Sequence, residues 1–422
     1  MEAALRRGRL SQGDRLPTVR ELADRLSVSP ATVAAAYKTL GARGIVEARG
    51  RRGTVVRGSP PIAGRGPTPV PAGIRNLAHG NPDPGLLPPL GPGLRAIDDR
   101  HVLYGAPLKD EALLRLARRD LERDGIPSEA ISVVSGGMDG IERVLMTHVR
   151  PGDSVVVEDP GFTSVIDLVA SLGLRAVPCA VDDCGPLPAA LSTALASGAR
   201  ALIVTPRAQN PTGAAIDASR ARELRSVLHA YPDVLLIEDD HAAAVSGARL
   251  CSLCDGTRER WAFVRSLSKA FSPDLRLAVV SGDAETIGRV EGRLLMGVRW
   301  VSHILQRLAV ATWSSRSAAS QLKRAERSYA TRRAALVDAL ARRDIRAHAR
   351  SGLNVWVPVR EELPVVQGLA RDGWAVAAGE RFRLESPPAV RVTVSTLEAG
   401  EAEHVADAFA RAFSTQGRST SA

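Results

Sequence analysis

Residues 58–73, "GSPPIAGRGPTPVPAG", restrict what this chain can fold into more than any other stretch. Five of them are proline and four are glycine. That composition locks the backbone at some positions, frees it at others and supplies little to pack. Such a segment is a semi-extended tether. The 422-residue chain therefore divides into a unit over 1–57, the tether over 58–73 and a body over 74–415. Each end unit must build its own core, and the body is long enough to bury a large one.

Charge divides at the same point. Of the net +10, residues 1–57 carry +7, from 12 Lys or Arg against 5 Asp or Glu, and the rest carries +3. A basic module on a near-neutral body points to an anionic partner for the module alone. The start, "MEAALRRGRL", has no apolar h-region. No apolar run approaches the roughly 18 residues of a membrane helix, so a cytoplasmic location is expected. "CSLC" (Cys251, Cys254) has the spacing of half a zinc site, with no second CxxC or HxxxH to complete it. No metal is expected, and buried thiols are the better reading.

Within the basic unit, "RLPTVRELADRLSVSPATVAAAYKTLGARGIVEARGRRGTVV" carries its own start and stop signals. Thr18 followed by Glu21 is a capping-box pattern, and Leu22, Ala23 and Leu26 read as the apolar face of a first helix. Ser29 offers a cap for a second helix with Pro30 at its first position, and Val33, Ala36, Tyr37 and Leu40 recur at helical spacing. Two short helices across a tight turn make a helix-turn-helix. "GIVEARGRRGTVV" then reads as strand, basic turn and strand: a wing. A basic run alone is usually a solvated face, but here caps, turn, wing and charge agree on duplex DNA. Ser29, Thr32 and Lys38 are placed to reach base edges or phosphates from the second helix. Arg20, Arg49, Arg51 and Arg52 would neutralise phosphates, and Gly53 would let the wing approach. This stretch resembles the GntR winged-helix family over residues 9–57, although "EAALRRG" leaves a shorter first helix than members usually show.

From residue 74 short apolar runs alternate with amphipathic ones. "SVVVEDP", "RALIVTP", "DVLLIEDD" and "LAVVSGD" read as strands, and "PAALSTALASG" and "SRARELRSVLHAY" as helices. The expectation is an α/β domain with a mainly parallel sheet, whose ligands bind beyond the carboxyl ends of the strands. The polar residues at those ends form a set. Gly136 and Gly137 lead into a helix whose free N–H groups suit a phosphate. Phe162 is a flat apolar face, Asn210 sits in "NPTG", and Asp239 and His241 share one side of an extended chain. Lys269 in "RSLSK" stands between Ser266, Ser268 and, seven residues on, Arg276. Singly, each has a bland reading as turn, cap or surface group. Together they supply what pyridoxal 5′-phosphate (PLP) needs: an imine-forming amine, an acid for the pyridinium nitrogen, and phosphate anchors.

Residues 76–412 resemble the fold-type I aminotransferases, with "NPTG" and "SLSKAFSPDLR" as the most specific stretches. The resemblance implies that Lys269 binds the cofactor covalently, Asp239 pairs with the ring nitrogen, and Asn210 holds the phenolic oxygen. Phe162 would cover the ring, with Gly136, Gly137, Ser266, Ser268 and Arg276 on the phosphate. It further implies that Tyr104 reaches the partner subunit's phosphate in a homodimer and that Arg391 takes a substrate carboxylate, with Asn354 a weaker candidate. His241 stands where the family commonly has tyrosine donating to the phenolic oxygen; an imidazole can donate too, but it can also titrate near neutrality. Reader, tether and body in this order resemble the MocR subgroup of bacterial transcription regulators. The expected function is a PLP-binding regulator sensing PLP or an amino compound. The alternative is a working aminotransferase with a DNA-binding appendage.

Overall fold

The computed structural model describes residues 10, 13–42, 46–48, 53–56, 69–98, 100–398 and 400–418. In the N-terminal unit, helix Val19–Leu26 starts on both arms of the capping box: the Thr18 N–H donates to Glu21 (2.7 Å) and the Glu21 N–H to Thr18 Oγ1 (3.3 Å). Ser27, left-handed at φ 52°, ends it. Helix Pro30–Ala42 follows, with the Thr32 N–H donating to Ser29 Oγ (3.1 Å). Strands Val46–Ala48 and Thr54–Val56 pair antiparallel as the wing. The core is Leu16, Ala23, Val33, Tyr37, Val46 and Val56. Leu26, expected on the apolar face, is 60% exposed. It ends its helix where the chain turns away, and Tyr37, whose hydroxyl donates to Pro17 O (2.8 Å), helps fill the interior instead.

The body is built on one eight-stranded sheet. Its strands run in the order 130–134, 278–282, 261–266, 235–240, 201–204, 154–159, 175–182 and 185–186. The strands from 261–266 across to 175–182 are mutually parallel, and 278–282 runs antiparallel to both its neighbours. Apolar cores cover both faces, one centred on Leu202, Leu236 and Phe263, the other on Val157, Ile203 and Val264. Both faces being covered explains why these strands read as continuous apolar runs.

A smaller unit packs alongside. Strands 354–358 and 389–393 pair antiparallel, with Asn354 opposite Thr393 and Trp356 opposite Arg391. Helix Arg316–Ala341 and helix Glu401–Arg418 close its core around Val355, Val392 and Phe409. No helix among the described residues is long and apolar enough to cross a membrane.

Candidate functional site

The parallel strands deliver their carboxyl ends to one edge of the sheet, and Phe162, Asp239, His241, Ser266 and Lys269 lie at or a few residues past those ends. Strand 130–134 runs into helix Gly137–His148 through Gly136, whose φ of 106° is open to glycine almost alone. A Cβ at Gly136 would lie 2.8 Å from Arg276 Nη2, so the Arg276 guanidinium lies across the start of this helix. Arg276 is itself left-handed (φ 43°) and donates to Ser135 O (3.3 Å). A Cβ at Gly137 would lie 3.5 Å from Ser266 Cβ and 3.7 Å from Asp239 Oδ1. Ser266 Oγ in turn donates to Ser268 Oγ (3.2 Å). Free N–H groups, hydroxyls and a guanidinium thus meet at one helix N-terminus, a ready anion site.

Gly136→Ala should be costly on this geometry. The strained φ would cost about 1–3 kcal/mol, and the methyl would push Arg276 aside. We expect a lowered melting temperature together with weakened phosphate-ester binding. An alanine variant with unchanged PLP affinity would contradict the cradle.

Asp239 is buried, and its Oδ1 has no hydrogen-bond partner among the described residues. Burial, and then the neighbouring Asp240 carboxylate, push it up to about 7. An orphaned acid of this kind wants a donor with a positive charge, which a pyridinium N–H supplies. Asp240 points the other way, as strand alternation requires. Despite full burial it is held down to about 2 by Arg265 and Arg207, with contacts of 2.9 and 2.8 Å. Arg265 also pairs with Asp120 and Asp124 (2.6 Å each), so the strand end carrying Asp239 is anchored from behind.

Lys269 Nζ donates to Gly80 O. Burial, and then Arg391, lower its pKa to about 8 from 10.5. An amine attacks an aldehyde only when neutral. The rate of PLP capture should therefore climb about tenfold per pH unit below roughly 8 and level off above it. Arg391→Ala should move that inflection upward, because it removes a depressing charge. Stopped-flow absorbance reads both, and a rate still climbing between pH 9 and 10 would contradict the shift.

Arg391 is buried, donates through Nη1 to Asn210 Oδ1 (3.0 Å) and through Nη2 to Ala78 O, and lies 4.6 Å from the Phe382 ring centroid. Its Nε has no partner among the described residues. Asn354 Nδ2 also donates to Asn210 Oδ1 (3.4 Å), and Thr393 Oγ1 donates to Asn354 Oδ1 (3.0 Å). With its oxygen engaged twice, Asn210 keeps its amide NH₂ as a donor of the kind that suits a phenolate. Phe162 is partly buried at the start of helix Thr163–Ser171.

His241 does not titrate near neutrality: burial, and then Lys269, hold it down to about 4, so it is a neutral imidazole at pH 7. Tyr104 is not with the others. It is 81% exposed, edge-on to Trp300 (5.6 Å) with Arg299 over its ring (5.3 Å). The carbonyls of Gly80 and Ala78, in "AHGNP", were not foreseen as parts of the site; backbone acceptors leave no residue-type signature.

In the N-terminal unit, Arg20, Ser29 and Thr32 are exposed, and Ser29 Oγ and Thr32 Oγ1 share a hydrogen bond (2.8 Å). Lys38 lies on helix Pro30–Ala42. Arg49, Arg51 and Arg52 lie outside the described residues. Gly53 has φ 81°, and a Cβ there would meet Arg15 Nε at 2.9 Å, which brings Arg15, absent from the expected set, against the base of the wing.

The residues present fit PLP: an orphaned acid, a depressed amine, and a glycine cradle closed by an arginine. The fold joins an aminotransferase-type body to a winged-helix reader. Residues 104–409 match the aminotransferase class I and II family, and residues 1–56 match the bacterial regulatory proteins of the gntR family. The chain belongs to the MocR subgroup of the GntR regulators, in which such a reader is fused to an aminotransferase-like domain. It is 42% identical over 399 residues to the vitamin B6 salvage pathway transcriptional repressor PtsJ of Salmonella typhimurium, covering 93% of this chain and 92% of that protein. It is 31% identical over 251 residues to the pyridoxine biosynthesis transcriptional regulator PdxR of Corynebacterium glutamicum, covering 56% and 53% respectively. Among solved structures, kynurenine aminotransferase of Pyrococcus horikoshii superposes with a TM-score of 0.74 at 19% identity, over 82% of this chain and 92% of that one. That likeness shows the fold.

Proposed function

We propose that this protein is a transcription regulator that reads PLP availability through its body and DNA through its N-terminal unit. The observation that carries this reading is the joint presence of a winged helix and an intact PLP-type donor set in one chain. The similarity to a repressor of vitamin B6 salvage supports vitamin B6 as the signal. A cytoplasmic location follows from that reading, with units over 1–57 and 74–415 joined by the tether.

Bound PLP would supply an electrophilic aldehyde and an electron-withdrawing ring. Lys269 offers the amine for the aldehyde, and the lowered pKa keeps a usable neutral fraction near pH 7. Asp239 pairs with the ring nitrogen, Asn210 donates to the phenolic oxygen, and Phe162 covers the ring. Gly136, Gly137, Ser266, Ser268 and Arg276 take the phosphate. Tyr104, turned to the surface, is assigned to the phosphate of a second subunit in a homodimer. His241, being neutral, is a hydrogen-bonding group beside Lys269 rather than a cation. On DNA, Ser29, Thr32 and Lys38 read the groove, while Arg20, Arg49, Arg51 and Arg52 meet phosphates beside Gly53.

A second reading, a working aminotransferase, draws on Arg391. Its unpartnered Nε and buried charge suit an amino acid carboxylate, with Asn354 behind it. Two assays separate the readings. A regulator binds DNA from the region flanking its own gene with an affinity that PLP changes, and exchanges amine without sustained turnover. Repeated conversion of amino acid and 2-oxo acid, with DNA affinity indifferent to PLP, would overturn the regulatory reading.

A further inference from the structure

A concavity lined by none of the assigned cofactor residues lies beside them. It is a groove of about 880 Å³ between the outer strand 175–182 with helix Pro188–Ala196 and the smaller unit. That volume is typical of small-molecule sites. Its walls are apolar: Val177, Ala190 and Ala194 on one side, Trp356, Pro358 and Pro388 on the other. Its rim is acidic. Asp182, Asp183 and Glu385 line it beside His348, and no lysine or arginine does among the described residues. Asp182 is neutralised from outside by Arg220 (2.8 Å), and Asp183 accepts from His348 (3.0 Å). Asp159, at the floor, is consumed by the N–H groups of Leu384, Glu385 and Ser386 (2.8–2.9 Å). Asp183, shared with His348, and Glu385 are the exposed rim carboxylates with no arginine or lysine partner among the described residues.

We propose that this groove is a second ligand site, for a small organic cation with an apolar body, and that its occupancy is felt at the cofactor site. Apolar walls would take the body of such a ligand, and the two rim carboxylates its charge. The link runs along one face of the small sheet. Side chains two apart on a strand share a face, as do register partners on paired antiparallel strands. Asn354, Trp356 and Pro358, with Thr393, Arg391 and Ala389 opposite them, therefore lie on one face. The groove takes the Trp356, Pro358 and Ala389 end of it, and the cofactor residues Asn354 and Arg391 occupy the other. Phe382 joins the two ends, edge-on to Trp356 (6.1 Å) and beneath Arg391 (4.6 Å). Across the gap, Pro160 lines the groove two residues before Phe162, and the Gly161 N–H between them donates to Phe382 O (2.7 Å). A ligand wedged against Trp356 bears on the same rigid face that sets Arg391. The second site itself does not depend on DNA binding, and the communication it proposes rests on the cofactor reading.

Benzyltrimethylammonium is a suitable probe, because a quaternary amine cannot condense with an aldehyde. Titrating the full chain calorimetrically should show saturable binding of one equivalent, with benzoate failing to compete. Removing both rim charges, Asp183→Asn with Glu385→Gln, should weaken binding roughly fivefold, in line with two exposed charge contacts. Thr193→Trp, at an exposed groove-lining position of the helix, should fill the groove and abolish binding at unchanged melting temperature. Lys269→Ala should bind the probe normally. PLP affinity should differ with and without saturating probe. No saturation at millimolar probe, equal binding by the Thr193→Trp variant, or loss of binding in Lys269→Ala would overturn the site. Identical PLP affinities with and without probe would overturn the communication while leaving the cofactor reading untouched.

Discussion

Replacing Lys269 by alanine should abolish covalent capture of PLP completely while leaving the protein folded. The chain has only four lysines, Lys38, Lys109, Lys269 and Lys323, which makes the result easy to read. Lys109 is tied to Glu291 (2.5 Å), Lys323 is exposed on helix Arg316–Ala341, and Lys38 belongs to the DNA-reading unit. Lys269 alone lies among the cofactor residues, with its amine depressed to about 8. Borohydride reduction of the PLP-loaded protein should therefore leave one pyridoxyl group, on Lys269, by peptide mass. In the alanine variant that mass and the visible absorbance band should vanish together. Weaker, non-covalent binding should persist through Asp239 and the Arg276 cradle. Equal labelling of the variant would place the aldehyde elsewhere.

Loss of the basic unit should be as drastic for DNA. A chain beginning at residue 74 keeps only +2 of the +10 charge and none of the helix-turn-helix, so it should fall to background binding. In the full chain the log–log salt slope counts phosphate contacts, at about 0.9 per contact. Arg52→Ala should flatten the slope by about that amount, with similar losses on all sequences. Thr32→Ala should instead change sequence preference, by about 1–3 kcal/mol at the position it reads. Salt-independent binding, or full affinity in the shortened chain, would contradict the assignment.

Much of this was legible in residues because the signals were local. Thr18 and Glu21 form their reciprocal cap three residues apart, and the acids, asparagine and lysine of the site each follow an apolar run by a few positions. Leu26 misled because apolar spacing does not say where a helix stops facing its core. Gly80 O and Ala78 O were invisible for a different reason. They meet Lys269 and Arg391 across 189 and 313 residues of chain, through backbone atoms common to every residue. The neutrality of His241 depends on burial and on Lys269, both products of the tertiary fold. The apolar groove escaped notice likewise, since its walls come from scattered segments with unremarkable composition.

The central claim is that one chain couples cofactor occupancy to DNA affinity. The Gly/Pro composition of residues 58–73 is expected to tether without transmitting rigid motion, so we propose that coupling comes from how the body holds the tether ends or docks the readers. Linkage then requires the effect to be reciprocal. The decisive measurement is the affinity for PLP with and without DNA from the region flanking the gene, alongside the affinity for that DNA with and without PLP. Both pairs should differ by the same factor, equivalent to about 1–3 kcal/mol, and Lys269→Ala should shrink that factor. Identical affinities in both pairs would contradict the account, leaving a PLP-binding protein merely tethered to DNA.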